Sequence, residues 1–389
     1  MSSAEVVIVC SNVSNNCLGR ALLLADLAKP FANVRVAGAN LTRDPVWPPS
    51  SGFDVQVDSI ELRHMLQYPG AARWMRKKLA GTKVVVSKPM HTSLGLARLA
   101  GVGQQQLLLD VDDWEVGLFS GKSRARQLVE LIDPSRVNSF PSTQRLDRSI
   151  TSYPHRTVSN TWLQERFGGL LLPHVRDTNV LKPDPVAREA ARAELDMAGR
   201  FWVGFVGTPR KHKGVEVLLD AVQRLDSSVG LYLAGVDEAD AYAQTLLARA
   251  RAALPPERLR LVKPFDFRRL GHFLSAADVL AIPSEVSEAA AGQIPAKLFD
   301  ALAVGVPVVV TAVNDMPGIV ENTGQVVPPG DASALEAAIR RYRDDSAFHR
   351  SCGDAARARA VSHYSYASAR RLLEQALSLV PTFAPNGRL

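Results

Sequence analysis

Along nearly the whole chain, short runs of β-branched and other apolar residues alternate with longer segments whose apolar positions recur every three to four residues. In the first half, VVIVC (Val6 to Cys10), NVRVAG (Asn33 to Gly38), KVVVS (Lys83 to Ser87), QLLLDV (Gln106 to Val111), RTVS (Arg156 to Ser159) and GLLL (Gly169 to Leu172) read as strands. Helices such as Leu18 to Ala28 lie between them. The second half restarts the pattern with FWVGFVG (Phe201 to Gly207), GLYLAG (Gly230 to Gly235), RLRLV (Arg258 to Val262), VLAI (Val279 to Ile282) and VPVVVT (Val306 to Thr311). This alternation predicts βαβ units and parallel sheets, the α/β class. Between the halves, LLPHVRDTNVLKPDP contains Pro173, Pro183 and Pro185, which exclude a long helix and mark a linker. The pattern therefore predicts two doubly wound domains facing each other, with ligands bound in a cleft beyond the carboxyl ends of the strands. Near the C-terminus, ASALEAAIRRYRDD and ARRLLEQALSLV have the period of amphipathic helices.

Composition agrees with this picture and narrows it. The 389 residues suit two domains, and 46% hydrophobic with 22% charged residues is the profile of a globular chain with a large core. No run of 18 apolar residues occurs, and Met1 to Cys10 carries Glu5 without a basic leader pattern, so a cytoplasmic protein is expected. Cys10, Cys17 and Cys352 lack metal-ligand spacing and read as buried thiols. The net charge of +7 is uneven: residues 1–180 hold 21 Lys and Arg against 15 Asp and Glu. A basic first half favours anionic partners. Its densest stretch, RWMRKKLAGTK, has two readings. One is a helix touching the inner membrane face through Arg73, Trp74, Arg76, Lys77 and Lys78; the other is a solvated helix face over a core. No motif that reads nucleic acid is present.

Three loops in the second half share one chemical theme. FVGTPRKHKG turns at Gly207 and places Arg210, Lys211, His212 and Lys213 beyond a buried strand, an arrangement suited to a diphosphate. RLRLVKPFDF ends in Lys263 and Phe265, where an aromatic ring can stack on a nucleobase or join the core. In AAAGQIPAKLFDALAVG, Gly292 and Gln293 precede a helix starting near Pro295. The amides from Ile294 to Lys297 face an anion with no intrahelical acceptor, and Lys297 and Asp300, three apart, either point together at the rim or pair along the helix.

The segment PAKLFDALAVGVPVVVT, followed by GIVENTGQVVPPGD, resembles the signature of group 1 retaining glycosyltransferases of GT-B fold, in which a glutamate, seven residues and E-A-M-A-x-G-x-P-V-V occur in order. GTPRKHKG is similar to that family's phosphate loop, and LPHVRDTNVLKP to its interdomain segment, so the resemblance covers about residues 170 to 365. It implies two Rossmann-like domains: an acceptor domain over 1–175, a linker over 176–186, a nucleotide-sugar domain over 187–365 and a helix over 366–389 returning to the first domain. It implies that Lys213 binds phosphate, with Arg210 as its partner because Thr208 occupies the usual arginine position. Asp300 stands where the family has a ribose-binding glutamate. Gly292 stands where it has the glutamate that touches the donor sugar, so that contact must come from elsewhere, with Gln293, Glu288 and Glu285 nearby.

In the first half the resemblance is one of organisation. Gly19 and Arg20 follow the first strand, Lys88 and His91 follow another, and relatives often have a histidine on the donor sugar at the place of His91. Asp110, Asp112 and Asp113 form a D-V-D that resembles the metal-binding D-x-D of GT-A enzymes; here Asp112 and Asp113 are read as acceptor-side or structural, with no metal. The expectation is a metal-independent retaining glycosyltransferase. It would need no cofactor beyond a nucleotide diphosphate sugar as co-substrate, and would act on a lipid-linked, glycan or small-molecule acceptor. A sugar-nucleotide epimerase and a non-catalytic nucleotide-sugar or glycan-binding protein share the architecture.

Overall fold

The structure, a computed structural model, describes residues 4–119, 133 and 137–385. It consists of two compact units. The first runs through Pro173 and adds Ala291–Gln293 and the chain from Ala367 on; the second comprises His174–Ala290 and Ile294–Tyr366.

The first unit is built on seven parallel strands: β1 (Ala4–Cys10), β2 (Ala32–Asn40), β3 (Gln56–Glu61), β4 (Lys83–Ser87), β5 (Leu107–Val111), β6 (Arg156–Val158) and β7 (Leu170–Leu171), in the order β3-β2-β1-β4-β5-β6-β7. Continuous apolar runs such as VVIVC and LLLDV are buried along almost their whole length because helices cover both faces of a parallel sheet. Val7, Val9, Val84, Val86, Leu107 and Leu109 line one face and pack on Met75, Leu79, Leu94 and Tyr153. The C-terminal segment joins this unit through paired backbone bonds, Gly81 N–H to the Phe383 carbonyl at 2.9 Å and Phe383 N–H to the Thr82 carbonyl at 2.8 Å.

The second unit has six parallel strands: β8 (Phe201–Val206), β9 (Val229–Ala234), β10 (Leu259–Val262), β11 (Val279–Ile282), β12 (Val308–Thr311) and β13 (Gln325–Val327), in the order β10-β9-β8-β11-β12-β13. The chain runs outward from β8 in one direction and from β11 in the other, so the order reverses between these two strands. Apolar clusters fill both faces, one around Trp202, Phe299 and Val308, the other around Phe205, Leu219 and Tyr342.

Two strands escaped the hydrophobic pattern, β3 and β13, and both are sheet edges. In QVDSIE only partial burial is achieved, so the sequence lacks an apolar run; QVV is only three residues long. The proline-rich linker is also more ordered than its sequence suggests. Arg176 forms a parallel bridge with Ser365, and the helix Pro185–Glu194 is capped by the Asp184 side chain, which accepts from Ala187 N–H at 2.9 Å. Arg188 and Arg192 of that helix both pair with Asp278, at 2.5 and 3.0 Å.

Candidate functional site: cations at the strand reversal of the second unit

In an open parallel sheet, the place where strand order reverses is where loops part and a ligand fits. In the second unit this is the carboxyl end of β8 and β11. The loop after β8 turns at Gly207, with φ +127°, and closes at Gly214, with φ +62°. Gly214 admits no side chain, since a Cβ there would lie 2.0 Å from the Pro283 carbonyl oxygen. The loops after β8 and β11 are stitched together where Glu285 N–H donates to the His212 carbonyl at 2.9 Å.

This loop carries the expected cations. Arg210 reaches Asp240 at 2.9 Å on an exposed flank. Lys213 Nζ donates to the Thr208 carbonyl at 2.7 Å, folding the ammonium back over its own loop. Burial, then Lys213, Lys297 and Arg210, hold the His212 imidazole below its ordinary pKa. Three cations thus act on one histidine in this loop, one of them, Arg210, already paired with Asp240.

Opposite that loop, the helix Ala296–Val304 begins at Pro295, whose extended backbone ends the preceding chain, and stops at Gly305 in the left-handed region, φ +69°. Residues 298–304 of this helix are all buried, so its two charged side chains need partners. Only one has a partner in kind. Lys297 Nζ is buried without a hydrogen-bond partner, 3.7 Å from the Phe205 ring centroid. Desolvation and then Lys213 push its pKa well below the ordinary lysine value, while Asp300 pulls the other way. The aromatic face offers partial compensation for the charge, far less than an anion would. Asp300 instead pairs with Arg176. The reading in which Lys297 and Asp300 pair with each other along the helix is thus corrected: Lys297 lies against Phe205 and Asp300 pairs with Arg176.

The segment before the helix divides between the units. Gly292 and Gln293 belong to the first unit and Ile294 to the second, where the Ile294 side chain is buried in the core. Gly292 has φ +68°, a conformation in which a glutamate would be strained, which accounts for glycine at that position. On the loop after β10, Lys263 is exposed and 3.7 Å from Glu238. Phe265 packs against the core with its ring centroid 4.5 Å from that of Phe273, leaving it half-buried.

The corresponding rim of the first unit is different in kind. Arg20 is fully turned inward: Nε and a terminal nitrogen grip both oxygens of Asp110 at 2.9 and 2.8 Å, and the guanidinium also donates to the carbonyls of Leu172 and Pro173. Its expected acceptor role is corrected to a buried structural ion pair. Gly19 lies in the first turn of the helix Cys17–Ala28. Lys88, in the left-handed region at φ +67°, buries its ammonium among Asp112, Asp113 and Glu115 at 3.0, 2.5 and 3.0 Å. These three carboxylates have oxygens within 4.8 Å of one another, and the lysine ammonium lies where a cation would be held. One ammonium cannot neutralise three carboxylates, two of them buried. Burial pushes the Glu115 carboxyl up to about 7 despite Lys88, and raises Asp113 as well.

His91 accepts or donates at Nδ1 to the Tyr68 hydroxyl at 2.5 Å, and burial lowers its pKa. The basic helix Tyr68–Leu79 sends Met75 and Leu79 into the core, packs Trp74 against it, and pairs Lys78 with Asp58 at 2.9 Å. Its apolar face is occupied inside the unit, while Arg73 and Lys77 are exposed. Among the described residues no helix is long and apolar enough to cross a membrane.

Sequence reasoning missed Arg176, Phe205 and Glu115. A single arginine inside a proline-rich linker carries no local signal when its partner lies 124 positions away.

Residues 200–345 match the family model described as glycosyl transferases group 1. The chain is 27% identical over 220 residues, 56% of its length, to the D-rhamnosyltransferase WbpZ of Pseudomonas aeruginosa, and 28% identical over 171 residues, 42% of its length, to the amylovoran biosynthesis glycosyltransferase AmsK of Erwinia amylovora. These matches span about half the length of the curated relatives, 54% and 41%. Among solved structures, Anabaena HepE in complex with UDP-glucose is similar with a TM-score of 0.76 at 16% identity, over 96% of this chain and 99% of that one. Sucrose-phosphate synthase from Thermosynechococcus elongatus is similar with a TM-score of 0.75 at 19% identity, over 96% and 98%. WaaG, a glycosyltransferase involved in lipopolysaccharide biosynthesis, is similar with a TM-score of 0.69 at 15% identity, over 96% and 99%. The chain has the GT-B fold, and its residues 200–345 are similar to the glycosyl transferases of group 1.

Proposed function

We propose that this chain is a retaining glycosyltransferase that moves a sugar from a nucleotide diphosphate sugar to a hydroxyl acceptor in a cell-envelope polysaccharide or glycolipid. The observation that carries the reading is Lys297: a buried ammonium without a hydrogen-bond partner, beside Lys213, at the strand reversal of the second unit. A ligand bearing two phosphates supplies the anion that this group lacks. The rhamnosyltransferase and amylovoran relatives support an envelope polysaccharide, and the complexes of a structural neighbour with UDP and UDP-glucose support a nucleotide-sugar donor.

In this reading, Arg210, Lys213, Lys297 and the amides at the start of the helix Ala296–Val304 stabilise the charge that develops as the nucleotide diphosphate departs. Charge neutralisation by side chains and helix amides makes a divalent metal unnecessary. Asp300 binds the ribose. The acceptor hydroxyl attacks on the same face as the leaving group, so that configuration is retained, and the proton it loses passes toward the departing phosphate oxygen.

The test is nucleotide release from a panel of nucleotide sugars with an acceptor pool, for the wild type, Arg210→Ala and Lys213→Ala. Release that depends on acceptor and drops in both variants is expected. Turnover unchanged in both would remove the phosphate assignment, and conversion of donor without acceptor would indicate an epimerase.

A further inference from the structure

Asp300 is 6% exposed, on a helix otherwise apolar from Leu298 to Val304. A carboxylate in such a place needs a charged or hydrogen-bonding partner beside it, preferably a cation. Arg176 is that cation. Its Nε donates to Asp300 Oδ1, while its terminal nitrogens donate to the Ala296 carbonyl at 3.1 Å and the Val175 carbonyl at 2.8 Å. The guanidinium is therefore tied to the first turn of the helix that bears Asp300.

The backbone of Arg176 is held just as firmly. Arg176 N–H donates to the Tyr364 carbonyl and Tyr366 N–H donates to the Arg176 carbonyl, both at 2.9 Å. Next to it the His174 ring lies 5.8 Å from Phe299, and Phe299 lies 5.0 Å from Tyr364. Three donor directions of one planar group thus fix the guanidinium, and its Nε in turn holds Oδ1 of a single carboxylate. Only Oδ1 is engaged; among the described residues no hydrogen bond reaches Oδ2. An aspartate is one methylene shorter than a glutamate, so its reach depends on how the carboxylate is held.

We infer that Arg176 is a positioning residue for nucleotide recognition: it holds the Asp300 carboxylate oriented so that Oδ2 accepts from the ribose diol of the donor, and so sets the selectivity for ribonucleotides. The inference rests on the function proposed above. It adds a residue outside the phosphate loop whose removal changes which nucleotide is preferred rather than whether a phosphate is bound. A vicinal diol offers two O–H donors to one carboxylate; a dideoxyribose offers none, and leaves Oδ2 of Asp300 without that donor.

The experiment is calorimetric. Binding of UDP, GDP, ADP and CDP to the full chain identifies the tightest nucleotide, which is then compared with its 2′,3′-dideoxy counterpart in the wild type, Asp300→Asn, Arg176→Met and Arg176→Lys. The wild type is expected to prefer the ribonucleotide by about tenfold or more. Arg176→Met and Asp300→Asn both bring that ratio close to one, and Arg176→Lys, which keeps the charge without the fork, lies between. If Arg176 only braces the fold, stability and both affinities fall together while the ratio stays at its wild-type value. That result, or a ratio lost in Asp300→Asn but kept in Arg176→Met, overturns the inference. Should Arg176→Met not fold, Arg176→Lys decides by the same ratio. A wild type that binds none of the four nucleotides removes the proposed function itself, and this inference with it.

Discussion

Each unit buries a lysine ammonium at the carboxyl end of its sheet, and the two are treated in opposite ways. Lys88 of the first unit is gripped by Asp112, Asp113 and Glu115, and carboxylate exceeds cation there. Lys297 of the second unit has an aromatic ring and Lys213 as neighbours, while Asp300, the carboxylate that acts on it, is already paired with Arg176. Similar parallel scaffolds thus produce a locked cluster in one unit and an unmet charge in the other. Fold alone does not make a binding site; the unmet charge is what marks one.

The largest effect should come from removing the locked lysine. Lys88→Met removes the one ammonium in contact with Asp112, Asp113 and Glu115, two of which are buried, and should cost about 3–5 kcal/mol in urea unfolding, enough to prevent accumulation of folded protein. Lys297→Met should act in the opposite sense. It removes a buried charge with no hydrogen-bond partner, so stability should rise by about 1 kcal/mol, read as a higher Tm, while affinity for a nucleoside diphosphate falls by about tenfold or more. A Lys297→Met protein less stable than wild type would break the contrast between the two lysines.

Within the cationic loop, Lys213→Ala should lower kcat/KM for the best donor by about 10–100-fold. Arg210→Ala should lower it less, because Arg210 sits on the exposed flank and is already paired with Asp240. Equal losses would show that Arg210 leaves Asp240 when the donor binds.

The smallest effect is a pH dependence in the first unit. The Glu115 carboxyl is raised above its unfolded value of 4.5 to about 7, so the folded state binds more protons in that interval. The stability associated with its protonated form is complete below pH 4.5 and is lost as pH rises toward and through about 7. Glu115→Gln should therefore show a flatter stability profile between pH 5 and 8. An identical slope in both proteins would assign the titration to Asp113 instead.

The central strands were legible because a strand buried on both faces must be apolar throughout: KVVVS and VLAI coincide with β4 and β11. The edge strands β3 and β13 were not, since one half-buried and one very short strand leave little pattern. The cations of GTPRKHKG were visible as a local run between glycines. Which of them lack partners was not, because pairing is set by tertiary contacts: Arg20 finds Asp110 90 positions away, and Arg176 finds Asp300 at 124. Asp112 and Asp113 stood out as an acidic motif, yet their meaning depended on Lys88, 25 positions before Asp113. The helix at Pro295 was readable from its proline and apolar spacing, whereas the divergence of Lys297 and Asp300 depends on Phe205 and Arg176.

The most direct measurement is the affinity gap between a nucleoside diphosphate and its parent nucleoside, titrated calorimetrically against the wild type and Lys297→Met. The account predicts that the wild type binds the diphosphate about a hundredfold more tightly than the nucleoside, and that Lys297→Met loses about tenfold or more of that gap. Equal affinity of the wild type for nucleoside and diphosphate, or a gap undiminished in Lys297→Met, would contradict it.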